Sequence, residues 1–265
     1  MKTNLVRSKL KRGEPSVGTW LTLPDPIAAR LMARTGFDWL TVELEHAPVT
    51  IETATQSFAV IAGNGTVPLA RPPWNTAENI KRVLDNGAWG VVLPMVNSRA
   101  EAEAAVDAAR YKPLGNRSVG GQLHAASFDT DPATYYERAN DEILVVAMIE
   151  HVQAVENADA ILSVPGLDAF FIGPNDLTKS MGRKPVFESD DAEFVGALEH
   201  LRQLGKKHGV ASGIHVADAA AAQRRIAEGF QMIAIASEAG LMLAKAQEAV
   251  RALGLGTARP AVAKY

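Results

Sequence analysis

Two carboxylates stand at the ends of runs that are otherwise apolar. Glu150 closes Val145-Val146-Ala147-Met148-Ile149, and Asp176 follows Ala169-Phe170-Phe171-Ile172 after Gly173-Pro174-Asn175. An ionised carboxylate beside a buried run is costly unless something compensates it. Two such acids, with the remaining positions left to water and substrate oxygens, suit an octahedral Mg2+ or Mn2+. Helix capping or pairing with arginines is the ordinary alternative. Arg71 directly follows Val67-Pro68-Leu69-Ala70 and precedes Pro72-Pro73, a stiff exit that would hold its fork toward a carboxylate or a developing enolate oxygen. A salt bridge to Glu43 or Glu45 would occupy the same side chain. His46 is the general-base candidate, because an imidazole titrates near neutrality and Glu43 or Glu45 could orient it. A helix-capping or surface histidine is the plainer reading of that residue. His215 is ambiguous between an inward barrel histidine and a catalytic one, His124 falls in an irregular loop, and His151 sits beside Glu150.

What makes these residues a group is the order of the elements that would carry them. Short apolar runs alternate with longer helical patterns. Strands are expected at Val17–Leu23, Trp39–Glu45, Val67–Pro72, Gly90–Val96, Ile143–Glu150, Leu167–Ile172, Val210–Val216 and Met232–Ala236. Helices are expected from Asp25 to Thr35, up to the Gly63–Gly65 turn, from Thr76 to Gly87, and over Ala100–Ala109. Further helices are expected over Pro132–Asn140, Val155–Leu162, Asp191–His208, Asp218–Glu228 and Leu241–Leu253. Runs such as Val91-Val92-Leu93 suit a sheet covered on both faces, and therefore parallel strands. Eight β/α units without a composition break predict an α/β fold, a (β/α)8 TIM barrel, as one domain over residues 1–255. Residues 256–265 read as a C-terminal tail. In such a barrel the strand C-termini form the active face, which is where Glu43, Glu45, His46, Arg71, Glu150, Asp176 and His215 fall.

The bulk of the chain narrows the chemistry further. With 265 residues, a net charge of −3 and no apolar run of membrane length, the expectation is a cytoplasmic enzyme of small molecules, with no nucleic-acid or membrane partner. No cysteine is present, so any metal must rest on Asp, Glu or His. The N-terminal MKTNLVRSKLKRG lacks the apolar core of a signal peptide. The Gly120-Gly121 pair lacks a dinucleotide fingerprint and reads as part of a lid.

The sequence resembles the class II pyruvate aldolases of the HpcH/HpaI type over nearly its whole length. The resemblance is carried by Gly18-Thr19-Trp20, Gly36-Phe37-Asp38-Trp39, Glu45-His46-Ala47-Pro48, Val67 through Arg71, and Leu93-Pro94-Met95-Val96. It continues through Arg110-Tyr111 with Gly115 and Arg117, Ile149-Glu150, and Phe171 through Leu177. It implies a pyruvate-type barrel that exchanges its last helix between subunits and assembles as a hexamer, a trimer of dimers. It also implies a divalent metal (Mg2+, Mn2+ or Co2+) on Glu150 and Asp176, no organic cofactor, and catalytic roles for His46, Arg71, Glu43 and Asp85. Asp85 would enter a neighbouring subunit's site. Trp20, Arg71, Gly173, Pro174, Asn175 and Asp176 would contact substrate. The implied reaction is reversible cleavage of a 4-hydroxy-2-oxoacid, such as 4-hydroxy-2-oxoheptanedioate or a 2-keto-3-deoxy sugar acid, to pyruvate and an aldehyde.

Three positions depart from the family pattern: Glu43 where many relatives carry Asp, Met148 where Gln is common, and Asn175 where a small residue is usual. The alternatives are oxaloacetate decarboxylation or a malyl- or citramalyl-type lyase using the same enolate, and a binding barrel without turnover. A Schiff-base aldolase would need a lysine at a strand end, and neither Lys112 nor Lys179 ends one.

Overall fold

Each apolar run forms a strand in a computed structural model that describes residues 1–255. The strands are β1 (Ser16–Leu21), β2 (Trp39–Glu43), β3 (Val67–Arg71), β4 (Gly90–Leu93), β5 (Leu144–Ile149), β6 (Ala169–Ile172), β7 (Ala211–Val216) and β8 (Met232–Ser237). All neighbours pair in parallel in chain order, and β8 closes onto β1. This is the expected (β/α)8 barrel. The expected tail at residues 256–265 lies outside the described residues.

The helices are α1 (Leu5–Lys11), α2 (Pro26–Met32), α3 (Ile51–Gly63), α4 (Ala77–Asp85), α5 (Arg99–Ala109), α6 (Leu123–Ser127) and α7 (Pro132–Glu142). They continue as α8 (Val152–Glu156), α9 (Ala158–Leu162), α10 (Pro174–Ser180), α11 (Ala192–His208), α12 (Ala219–Ala227) and α13 (Glu238–Ala252). Side-chain oxygens start most of the long ones: Thr50 for α3, Thr76 for α4, Ser98 for α5, Asp131 for α7, Asp191 for α11 and Ser237 for α13. Each accepts a main-chain N–H that the first turn leaves without a partner. Among the described residues no helix is long and apolar enough to cross a membrane.

Strands β1 to β5 stop one to three residues short of their expected ends, and β2 and β4 do so for local reasons. β2 ends at Glu43, because the Glu43 carboxylate takes the N–H groups of Glu45 and His46 and turns the chain out of the ladder. β4 ends at Leu93, ahead of Met95 in the left-handed region at φ 52°. The helix expected over Val155–Leu162 is two short ones, α8 and α9, meeting at Asn157, whose side chain donates to the Asn97 carbonyl at 2.8 Å.

The end of the barrel where strands begin is clamped by charge. Asp168, just before β6, accepts from Arg7 Nε and from Arg110, both at 2.7 Å, and from the N–H of Val145 at 2.9 Å. Arg110 is buried and also donates to the carbonyls of Asn140, Ile143 and Gly166. Asn4, the cap of α1, donates to the carbonyls of Trp89 and Glu142, which precede β4 and β5. A buried pair of this kind costs about 3–5 kcal/mol to break by removing one partner. The opposite end, where strands exit, is therefore free for chemistry.

Candidate active site

Parallel strands deliver their last side chains to one rim. The β2–β3 register sets Glu43 opposite Arg71. Glu43 is 2% exposed; its Oε2 accepts from Arg71 Nε, and its Oε1 accepts from the N–H of Glu45 at 2.6 Å and of His46 at 3.0 Å. One carboxylate thereby fixes both the arginine fork and the turn that bears Glu45 and His46. The Glu43 side chain does not reach the imidazole of His46. That ring stands with Nε2 3.6 Å from Glu45 Oε1, and it is 53% exposed.

Arg71 is boxed in on several sides. Glu45 Oε2 lies 3.3 Å from Nε, the guanidinium carbon lies 4.6 Å over the Trp20 ring, and one terminal N–H group donates to the Met148 sulfur at 3.7 Å. Burial works against its charge, but Glu43, Glu45 and Glu150 outweigh burial and hold the group above its ordinary value. With Nε spent on Glu43 and one contact on a weak sulfur acceptor, the fork keeps donors for an anionic oxygen.

Glu150 follows β5 directly and is 3% exposed. Its Oε1 accepts from the N–H of Met95 at 2.9 Å, a group aimed by that residue's left-handed backbone. Its Oε2 lies against Gly173, where a Cβ would stand only 2.6 Å away. Only a glycine leaves the carboxylate room. Burial pushes Glu150 up to about 7, with Asp176 and Glu45 adding to the rise and Arg71 opposing it. Burial likewise raises Glu45, with Glu43 and Asp176 adding to it against Arg71 and His46. Asp176 occupies the first turn of α10, which Gly173 and Pro174 begin, and is exposed; Asn175 beside it is half-buried.

The rim thus concentrates four acids, Glu43, Glu45, Glu150 and Asp176, around one arginine. Glu45 Oε2 is buried without a hydrogen bond. A divalent cation would relieve this excess of negative charge. Among the described residues no three His, Cys, Asp or Glu side chains converge as a complete metal cage. The donors instead fit a hard cation that keeps waters and takes one or two carboxylates, and Glu150 and Asp176 are the two that would hold it.

An aromatic wall faces this charge. Trp20 meets Phe171 edge-on at 5.7 Å and His215 at 5.8 Å, and Phe187 packs edge-on to His215 at 4.8 Å. His215 is bonded through Nε2 to the Ala236 carbonyl at 2.9 Å, and burial lowers it to about 4.

Other candidates lie elsewhere. Asp85 ends α4 and pairs with Arg117 at 2.7 Å, beside Tyr111 and Tyr135, and bonds to no strand-end residue. His124, expected in an irregular loop, sits on α6, buried 4.3 Å from the Tyr135 ring. His151 caps α8 through Nδ1. Lys112 and Lys179 are exposed. The supporting parts that sequence reasoning missed are the Met95 N–H and the ring of Phe187; neither is marked by residue type.

A family model described as HpcH/HpaI aldolase/citrate lyase matches residues 16–244. A hydroxypyruvate/pyruvate aldolase of Rhizorhabdus wittichii is 33% identical over 247 residues, covering 93% of this chain and 97% of that protein. A 4-hydroxy-2-oxo-heptane-1,7-dioate aldolase of Salmonella dublin is 38% identical over 251 residues, covering 94% of each chain. Among solved structures, an HpcH/HpaI aldolase/citrate lyase family protein from Burkholderia cenocepacia superposes with a TM-score of 0.88 at 30% identity, covering 95% of this chain and all (100%) of the other.

Proposed function

Because the chain belongs to the HpcH/HpaI aldolase/citrate lyase family, we propose that it is an aldolase that reversibly cleaves 4-hydroxy-2-oxoacids to pyruvate and an aldehyde. The observation that carries this reading is the anchored Arg71 fork beside the buried Glu150 at one rim. Aldol cleavage next to a keto group leaves negative charge on the keto oxygen, and a preorganised cationic donor there stabilises it most.

The chain's own groups divide the work. Arg71, immobilised by Glu43 and Glu45, donates to the carboxylate or keto oxygen of the substrate and strengthens that bond as the oxygen gains charge. His46 takes the proton of the 4-hydroxyl, and Glu45 beside its Nε2 stabilises the resulting imidazolium. As that proton leaves, C4 becomes a carbonyl and the C3–C4 electron pair moves into the C2–C3 enolate; protonation at C3 gives pyruvate. A divalent cation (Mg2+, Mn2+ or Co2+) held by Glu150 and Asp176 would supply Lewis-acid polarisation of the same oxygens. Trp20, Gly173, Pro174 and Asn175 form the wall against which the substrate lies.

A cytoplasmic enzyme, one domain over 1–255 and a hexamer complete the proposal. Oligomerisation is supported by apolar side chains left exposed on α13 (Met242, Leu243, Val250) and α2 (Ile27, Leu31). In such an assembly Asp85 would act toward a neighbouring copy.

The test is exchange of pyruvate methyl protons in deuterated water, with and without Mn2+, alongside cleavage of 4-hydroxy-2-oxoacids before and after chelation. Mn2+-dependent exchange and chelator-sensitive cleavage are expected. Cleavage that survives chelation would sink the metal's role, and a chain that exchanges no protons is not an enolising aldolase.

A further inference from the structure

His215 stands next to last in β7, within reach of the rim, and no role in the proposed reaction falls to it. Its ring is nevertheless held in one state. Nε2 bonds the Ala236 carbonyl at 2.9 Å, and a carbonyl can only accept, so Nε2 carries the proton and Nδ1 presents a bare lone pair. Burial lowers the imidazole to about 4, with Arg71 adding to the effect, so the ring is neutral at working pH. The carbonyl that fixes the tautomer is itself specially placed: Ala236 is left-handed at φ 47°, where the β1–β8 register shifts between Gly18 and Trp20. Strain of this sort persists only where surrounding structure imposes it.

The ring stays partly exposed, whereas its chain neighbours Ile214 and Val216 are fully buried. Among the described residues only Nε2 has a partner. Trp20 touches both His215, at 5.8 Å, and the Arg71 fork, at 4.6 Å, so the acceptor lies one aromatic ring away from the group that grips the keto acid. Phe187 also packs edge-on against the ring, at 4.8 Å. A neutral acceptor beside two apolar rings offers nothing to a carboxylate and is left unpaired by an alkyl chain; it is satisfied by a hydroxyl.

Resting on the aldolase reading, we infer that His215 Nδ1 accepts a hydrogen bond from a hydroxyl on the aldehyde half of the substrate, which makes hydroxyaldehydes the preferred acceptors of this chain. The same chemistry would recognise the hydroxyl of hydroxypyruvate on the nucleophile half, and the experiment separates the two sources.

Addition of pyruvate to glycolaldehyde, propanal and 4-oxobutanoate is measured with Mn2+ for the parent, His215→Leu and His215→Asn. Leucine removes the acceptor at similar volume; asparagine returns an oxygen at the δ position. The parent is expected to favour glycolaldehyde over propanal by about tenfold in kcat/KM, the worth of one neutral hydrogen bond. His215→Leu should bring that ratio near one, and His215→Asn should restore part of it. Because both substrates meet the same preparation, partial misfolding cancels from the ratio. A parent that prefers propanal or 4-oxobutanoate, or a ratio unmoved by His215→Leu, overturns the inference. So does an unmoved aldehyde ratio accompanied by proton exchange that is slower in His215→Leu than in the parent for hydroxypyruvate but not for pyruvate, which would assign the contact to the nucleophile half. If the parent exchanges no pyruvate protons, the aldolase reading fails and this inference with it. Normal exchange with an unmoved ratio removes only the role of His215.

Discussion

Replacing Glu43 with glutamine tests whether this buried acid anchors the site or moves protons. In the structure its two oxygens serve three donors, Arg71 Nε and the N–H groups of Glu45 and His46, and it is 2% exposed. Glutamine keeps the volume but loses the charge and turns one acceptor into a donor. Whichever way the amide faces, either the guanidinium or the two main-chain groups meet an N–H instead of an oxygen. Charge-assisted bonds of this kind contribute about 1.5–3 kcal/mol each. Because Glu45 still faces Arg71, the net loss is set at about 3 kcal/mol, below the upper range for a broken buried pair. For a chain of this size that corresponds to a fall in Tm of roughly 6–12 °C. A fork and a base displaced by about 1 Å would lower kcat/KM about 100-fold. Thermal unfolding and the pH dependence of kcat/KM are the assays. A Glu43→Gln chain that melts within 1 °C of its parent would falsify the anchoring role, and loss of the acid limb of the pH profile would make Glu43 a proton carrier.

Glu150, 3% exposed and lifted to about 7 from an ordinary 4.5, holds a proton in the folded chain that the unfolded chain has already released. The Glu150 contribution to the stability of the metal-free protein should therefore be fully present near pH 4 and be lost as pH rises through 7; at ~1.36 kcal/mol per pH unit that loss is ~3 kcal/mol. Glu150→Gln should flatten that dependence, and urea unfolding of chelator-treated protein at pH 5 and 8 would show equal differences in both chains if the argument is wrong. Gly173→Ala places a methyl group 2.6 Å from Glu150 Oε2 and 3.3 Å from the Met148 methyl, at an unstrained φ of −93°. It should weaken Mn2+ binding at least tenfold while the far-ultraviolet spectrum stays unchanged, and undiminished Mn2+ affinity in a titration would remove Glu150 from the metal site.

The barrel was legible because its signal is redundant: eight apolar runs separated by capped helices admit few other arrangements, and the strand starts fell within a few residues of their expected places. Residues placed by the ends of those runs, Arg71 and Glu150, could be named from position alone. What the sequence could not carry was register. Position alone offered Glu43 or Glu45 as the partner of Arg71; that Glu43 is the one set directly opposite it follows from the pairing of β2 with β3, which no local pattern encodes. The same limit hid the Met95 N–H, whose aim depends on a left-handed turn that residue type does not announce. α1 did leave a local signal, Asn4 before Leu5 with Val6 and Leu10 four apart. It was obscured by the basic residues around it, of which Arg7 is itself buried and paired with Asp168.

The clamp of Arg7, Arg110 and Asp168 at the strand starts has an evolutionary reading. Its partners are other groups at that end, not rim residues, so the free energy this clamp contributes is separable from the rim side chains. Substitutions at well-separated sites add nearly independently. Positions such as Met148, Asn175, Phe187 and His215 can therefore be recombined as a library on an unchanged chassis, and the chain is suited to drifting between aldehydes without passing through unfolded intermediates.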